Sequence, residues 1–483
     1  LRVRLSWLAA VTASLLILLL SGCGRPDPVD WEAAGVSASP TPTPPQPPTA
    51  DKLVVYLDTS ASMAGYVSQN GQNVFGSTLR ALRDTVTSFK TPLDVAVRNV
   101  DVAVKGPDPD GALALQKASI NPKIYGGNET DLAGAISEFG GKPAAHVGPP
   151  AAAGEAEPEQ PPPARIHVLI TDGVQSKKSQ NAKCLKGSDA TCVREKIIEL
   201  LKAGWGAYVI GLRSQFHGTI YSEVSGARLQ YNSNENRPQS FRPFYLYIFS
   251  PDRTALDDFV GVLRERLRPI APPDTMRVVA LTSPYSERVV KAEAVVPKES
   301  EDSVEMAGQE EDPARLTFGV DPNVTDSSPL PLTVAVEVPW SKQVLDSGSK
   351  QELAGVVRWE VVPVYPAAGG AAESGKRYAV VKVKTASGVA PDAQGRLPVQ
   401  LTVGWPRSTQ APAWGVYRLQ GRLDFGEDKD PLPWIRQWST SLDTTVDTGD
   451  RTLNLESVLT SLLRNPVLEQ QTVAEVYLRV GPQ

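Results

Sequence analysis

From Lys52 to Leu267 the chain repeatedly sets a short apolar, β-branched run ahead of an amphipathic helical stretch, and this alternation constrains the fold most. Lys52-Leu-Val-Val-Tyr-Leu57 has no polar face, as a strand covered on both sides requires. Leu79, Leu82, Val86 and Phe89 then recur at helical spacing over Ser77 to Phe89, and Leu93 to Val104 reads as the next strand. The series continues with a helix to Phe139, a strand from Arg165 to Thr171, a helix from Val193 to Lys202, strands Gly206 to Leu212 and Phe244 to Phe249, and a helix from Asp252 to Leu267. Strands joined through helices return in the same direction, so residues 51–270 are expected to form an α/β domain with a doubly wound parallel sheet.

A sheet buried on both faces leaves its strand ends for chemistry, and ligands of open α/β sheets bind beyond the carboxyl ends. Three polar groups fall at such positions: Asp58-x-Ser60-x-Ser62 after the first strand, Thr130 ahead of the helix to Phe139, and Asp172-Gly173 after Arg165 to Thr171. Helix and turn capping would account for Asp58 and the serines, since Asp and Ser are favoured there, but not for Thr130 and Asp172.

Together, the DxSxS strand end, the separate threonine and the Thr171-Asp172-Gly173 turn resemble the metal-ion-dependent adhesion site of von Willebrand factor A domains. The resemblance covers about Leu53 to Leu267. It implies Mg²⁺, with Mn²⁺ or Ca²⁺ as alternatives, ligated directly by Ser60, Ser62 and Thr130, while Asp58 and Asp172 hold bound waters and supply the balancing charge. Mg²⁺ wants about six oxygens near 2.0–2.1 Å and keeps some waters, so neutral hydroxyls leave it electrophilic. The family then implies that a protein partner's acidic side chain fills the open position, which is binding and not catalysis. Two departures stand out: the loop Met63 to Gly76 is longer than usual, and residues 141–164 form a Pro/Ala-rich insertion expected to be flexible.

Ahead of this domain, Arg2 and Arg4 precede an uncharged run from Leu5 to Leu20 that ends at Leu20-Ser21-Gly22-Cys23. The run falls short of the ~20 residues of a membrane span, and its order matches an export signal. The tetrad resembles the bacterial lipobox, which implies a signal peptide over 1–22, lipidation of Cys23 and anchoring at the cell envelope, periplasmic or at the surface. Residues 23–50 are Pro-rich and read as an extended tether. In an exported protein, Cys184 and Cys192 around a short polar loop suggest a disulfide.

The net charge is −5; without Arg2 and Arg4 the bases fall from 49 to 47 against 54 acids, giving −7. That balance excludes the cationic surface a nucleic-acid partner needs.

Enzymatic motifs are lacking. A haloacid-dehalogenase-type phosphatase would need an acid where Ser60 stands, and no G-x-S-x-G elbow occurs. The three histidines, His146, His167 and His217, have no nucleophile near them in motif terms, and His167 reads as packed within a strand.

Residues 271–483 change character. Short strand-like runs separated by Gly, Pro, Asp and Ser predict an all-β, sandwich-like domain, from Met276 to Leu281 onward to Trp434 to Leu442. The acidic stretch Glu299 to Asp312 reads as a mobile loop or linker. Leu455, Leu459, Leu462 and Leu463 share one face of a short C-terminal helix. Six of the nine tryptophans fall here; core packing is the commoner use, and an exposed row would suit a glycan. A structural or assembly component of an envelope complex, with a stabilising or vestigial metal site, is the second functional expectation.

Overall fold

The computed structural model describes residues 28–36, 50–67, 71–89, 92–139, 165–176, 189–222, 225–272, 274–281, 291–306, 312–337, 357–366, 375–384, 392, 396–423, 432–441, 445–465 and 472–483. In chain order the first half runs β1 (Lys52–Asp58), a 3-10 turn (Ala61–Tyr66), α1 (Val74–Ser88), β2 (Asp94–Val100), β3 (Val104–Pro107), α2 (Ala112–Ala118), α3 (Leu132–Phe139), β4 (Arg165–Thr171), α4 (Asp189–Lys202), β5 (Gly206–Ser214), β6 (His217–Tyr221), β7 (Arg228–Asn232), β8 (Arg242–Ser250), α5 (Arg253–Leu267) and β9 (Met276–Ala280).

Seven of these strands form one mixed sheet in the order β3-β2-β1-β4-β8-β5-β9. Its middle matches the expectation: β2, β1 and β4 are parallel. The sheet is not parallel throughout, because β8 lies antiparallel between β4 and β5 and β9 is antiparallel to β5. Periodicity reports burial and not direction, so the apolar run in β8 was compatible with either sense. The reversal brings the amino end of β8 to the same rim as the carboxyl ends of β1, β4 and β5.

Two-sided burial is nearly complete here; all nine residues of β5 and of β8 are buried. Helix α1 starts at Asn73, whose side chain accepts from Gly76 N at 2.8 Å, and α5 starts at Asp252, which accepts from Ala255 N at 2.9 Å. Each cap satisfies an amide that the helix leaves unpaired. Their buried rows, Leu79, Leu82 and Val86 on α1 and Leu256, Phe259, Leu263 and Leu267 on α5, follow the helical period.

The second half continues with β10 (Ala292–Val295), β11 (Val304–Met306), β12 (Arg315–Val320), β13 (Leu330–Glu337), β14 (Val357–Tyr365), β15 (Lys376–Tyr378), β16 (Val380–Val383), β17 (Arg396–Gly404), β18 (Ala411–Ala413), β19 (Gly415–Leu423), α6 (Pro433–Trp438), β20 (Ser439–Thr440), β21 (Thr452–Leu453), α7 (Leu455–Leu463) and β22 (Thr472–Pro482). A four-stranded sheet β10-β13-β17-β16 and a five-stranded sheet β11-β12-β22-β19-β14 dominate it. One buried cluster runs through both sheets and the first half, so the core is continuous across residue 270.

Several expectations change in detail. Met276 to Leu281 belongs to the first sheet as its edge strand, and the pairing of Tyr208 with Ala280 carries that sheet past the expected boundary. Trp434 to Leu442 begins as helix α6, with Pro433 at its first turn, where a missing N–H costs nothing. Within Glu299 to Asp312, β11 pairs with β12, and buried Ser300 bonds to Pro331 O at 3.2 Å. The C-terminal helix is present as α7, with Leu455, Leu459, Leu462 and Leu463 buried, but β22 follows it. Trp405, Trp414, Trp434 and Trp438 are core residues, Trp359 is half-buried, and Trp340 lies outside the described residues.

Residues 28–36, expected within the extended tether, instead make a compact turn against the five-stranded sheet. Val36 N donates to Trp31 O at 2.9 Å, and buried Trp31, Ala34 and Val36 pack with Val416. The guanidinium groups of Arg479 and Arg315 lie 4.7 Å and 5.2 Å from the Trp31 ring centre, cation–π distances. Cys23, Cys184 and the 141–164 insertion lie outside the described residues; Cys192 is buried on α4. Among the described residues no helix is long and apolar enough to cross a membrane.

Candidate metal centre

All five strand-end residues come to one rim. Ser60, Ser62, Thr130 and Asp172 line a single cavity of about 420 Å³, and Asp58 stands behind them, fully buried at the end of β1. The loop carrying Thr130 is laid against β1 by paired backbone bonds, Ala61 N to Gly127 O and Gly127 N to Thr59 O, each 2.9 Å. Only glycine permits this approach: a Cβ on Gly127 would stand 2.5 Å from Asp101 Oδ1 and 3.0 Å from Thr59 O.

Hydroxyls converge on Asp58. Its Oδ1 accepts from Ser60 N at 2.9 Å and lies 3.4 Å from Thr130 Oγ1, and its Oδ2 accepts from Thr171 Oγ1 at 2.7 Å. The hydroxyls of Ser60 and Ser62 are 3.1 Å apart. Thr130 is held in turn by Ser176, whose Oγ accepts from Thr130 N at 2.9 Å and whose own N donates to Thr130 O at 3.1 Å. Burial first, and the charge of Asp172 second, push the Asp58 carboxyl up to about 7 against the bonds from Ser60 and Thr171. Among the described residues no side-chain cation bonds to that carboxyl, so a cation brought beside it would favour its charged form.

Asp172 is placed differently. Its Oδ2 is 3.3 Å from Arg242 Nη2, both side chains being 2% exposed, and its Oδ1 accepts from Val174 N at 3.3 Å. Arg242 opens β8, and the antiparallel sense of that strand is what brings it to this rim. Burial works against its charge, while Tyr66 and Asp172 outweigh that and raise the guanidinium above its ordinary value. Arg242 Nη1 also donates to Gly449 O at 2.9 Å. Next along, Thr452 Oγ1 accepts from Tyr245 OH at 3.0 Å and lies 3.3 Å from Asp172 O. A segment from the C-terminal half therefore forms part of the floor beside Asp172.

The strand ends named from the sequence, Asp58, Ser60, Ser62, Thr130 and Asp172, are brought together, while Arg242, Thr452 and the β6–β7 hairpin beside them were missed. His217, expected in a loop, opens β6. The alternation in His217-Gly-Thr-Ile-Tyr221 and Arg228-Leu-Gln-Tyr-Asn232 was the available signal for that hairpin. His167 packs as expected, with Phe139 and Trp205 ring centres at 4.9 Å and 5.6 Å.

The donor set suits a hard cation, with hydroxyl oxygens, two carboxylates and an open face toward the cavity. Ser60, Ser62 and Thr130 are the candidates for direct contact. Among the described residues no three His, Cys, Asp or Glu side chains converge, and the candidate set itself brings only two carboxylates. No protein-family model, curated protein or solved structure matches this chain.

Proposed function

We propose that the rim cluster is a divalent-cation site of the von Willebrand factor A kind, on a doubly wound domain followed by a sandwich-like β domain. In this reading the protein is a lipid-anchored envelope component that uses Mg²⁺ to hold a protein partner through an acidic side chain. The observation that carries it is the convergence of the Thr130 and Thr171 hydroxyls on Asp58, a fully buried carboxyl to which no side-chain cation bonds among the described residues. Ser60, Ser62 and Thr130 would hold the cation, with Asp58 and Asp172 supplying charge through bound water. A bound cation supplies a Lewis-acidic position for a carboxylate. The chain's own residues orient it and exclude bulk water, and the activity in this reading is binding and not catalysis. Lipidation at Cys23 and the Cys184–Cys192 bridge belong to the same proposal.

A second reading has one observation in its favour. The Arg242–Asp172 ion pair already neutralises one carboxylate and ties it to residues 449–452, which suits a site that stabilises the contact between the two halves in an envelope assembly.

Isothermal titration of the protein from Pro26 onward with Mg²⁺ and with Mn²⁺ separates the two. Binding that is lost in a folded Asp58→Ala/Ser60→Ala variant supports the first reading. A folded parent that binds neither ion removes it and leaves the structural role.

A further inference from the structure

The cavity that holds the candidate metal residues is also lined by the hairpin of β6 and β7: Tyr221, Ser222, Gly226 and Arg228 line it together with Ser60, Ser62 and Glu129. That hairpin is fixed to the site. Gly218 of β6 backs onto Gly65 of the 3-10 turn that follows Ser60, so closely that a Cβ on Gly218 would stand 2.8 Å from Gly65 Cα. A Cβ on Gly65 would enter the Phe216 ring. Phe216 closes the hairpin base, exchanging bonds with Ser233, N to Oγ and N to O, both 2.9 Å. Hairpin and hydroxyls therefore sit on one rigid unit, and the span between them is set.

The cations around this cavity are not equivalent. Arg242 is committed to Asp172 and Gly449 O, and nearby Arg213 to Phe241 O at 3.1 Å and Asp450 at 3.8 Å. Arg228 is exposed, rests its guanidinium 5.8 Å from the centre of the Tyr221 ring, and makes no ion pair among the described residues. A planar guanidinium steadied on a ring presents its N–H edge to a carboxylate.

We infer that this cavity recognises two carboxylates on one ligand, one at the metal end and one at Arg228, and so selects a peptide segment carrying two acidic side chains. The inference rests on the metal reading above and adds the residue that sets specificity. Arg228 acts at the rim in water, so its contribution is about fivefold in affinity.

The test uses the Mn²⁺-loaded protein and end-capped peptides in which two aspartates are separated by none to three glycines, each beside versions with either aspartate replaced by asparagine. Isothermal titration is expected to show one spacing bound about fivefold more tightly than its single-acid versions. Arg228→Gln removes that preference, and Arg228→Glu inverts it, while both variants still bind Mn²⁺. Mn²⁺ binding with equal affinity for one-acid and two-acid peptides, or with no peptide bound, overturns this inference alone. A parent that does not take Mn²⁺ overturns the metal reading and this inference with it.

Discussion

The two halves of the molecule bury their strands in different ways. In the first sheet β8 and β5 are covered on both faces along their whole length, whereas β17 of the second half largely alternates buried with half-buried or exposed residues and β14 is half-buried or exposed beyond Val357. A two-sided sheet has almost no room for polar side chains between its ends, so they collect at the rim, where Asp58, Thr171, Asp172 and Arg242 meet. An alternating sheet spreads its polar groups over an open face, and no comparable concentration arises on β14 or β17. Chemistry and two-sided burial thus go together here, and among the described residues the second half reaches the site through residues 449–452.

Removing charge from the rim gives the largest effect. Arg242→Met leaves Asp172 buried beside Asp58 without its partner, and should cost about 3–5 kcal/mol in denaturant unfolding, with Asp172→Asn/Arg242→Met recovering much of it. A single variant as stable as the parent would show that the pair is not a buried one. Next comes the contrast between sheets: Leu246→Ala in β8 should cost about 2–5 kcal/mol, and Val361→Ala on half-buried β14 less than that by at least half. Equal losses would break the comparison.

The smallest effect per measured step, about 1.4 kcal/mol for each pH unit, sharpens it through pH. His167 is a titratable group inside the two-sided sheet, and burial first, then Arg165 and Arg98, lower it from 6.5 to about 3. The unfolded chain therefore binds a proton that the folded one refuses, so stability is full above pH 6.5 and falls as pH drops toward about 3, by about 1.4 kcal/mol per unit. His167→Phe, which can keep the ring contacts with Phe139 and Trp205, should reduce the pH slope in that window by one proton. An unchanged slope would mean that His167 is protonated in the fold.

How much of this was legible follows from the same physics. Strand runs, helix faces and the residues at strand ends are local properties, and β1, β4, α5 and the set Asp58, Ser60, Ser62, Thr130 and Asp172 were read from them. Strand order and direction depend on what each strand meets in space. The insertion of β8 in reverse between β4 and β5 left no local mark, and with it went the placement of Arg242. Thr452 was out of reach for the same reason, since it arrives from 280 residues beyond Asp172. Trp434 to Leu442 failed differently: its apolar residues fit a short helix as well as a strand, and Pro433 was the signal that distinguishes them. Trp31 sat in a Pro-rich context whose average composition masked one anchoring side chain.

That side chain bears on how force would pass through the protein. If Cys23 carries lipid, only the residues up to Pro28 separate the membrane from the turn clamped by Trp31, and at about 3.3–3.6 Å per residue they reach less than about 20 Å. Arg479 of β22 covers the Trp31 ring and donates to Val29 O at 3.0 Å. Tension between the membrane and a captured partner would then be carried first by β22 and the C-terminal sheet, not by β1. A partner held at the rim would feel the same pull in series, and the Trp31 clamp decides only which strands it enters by.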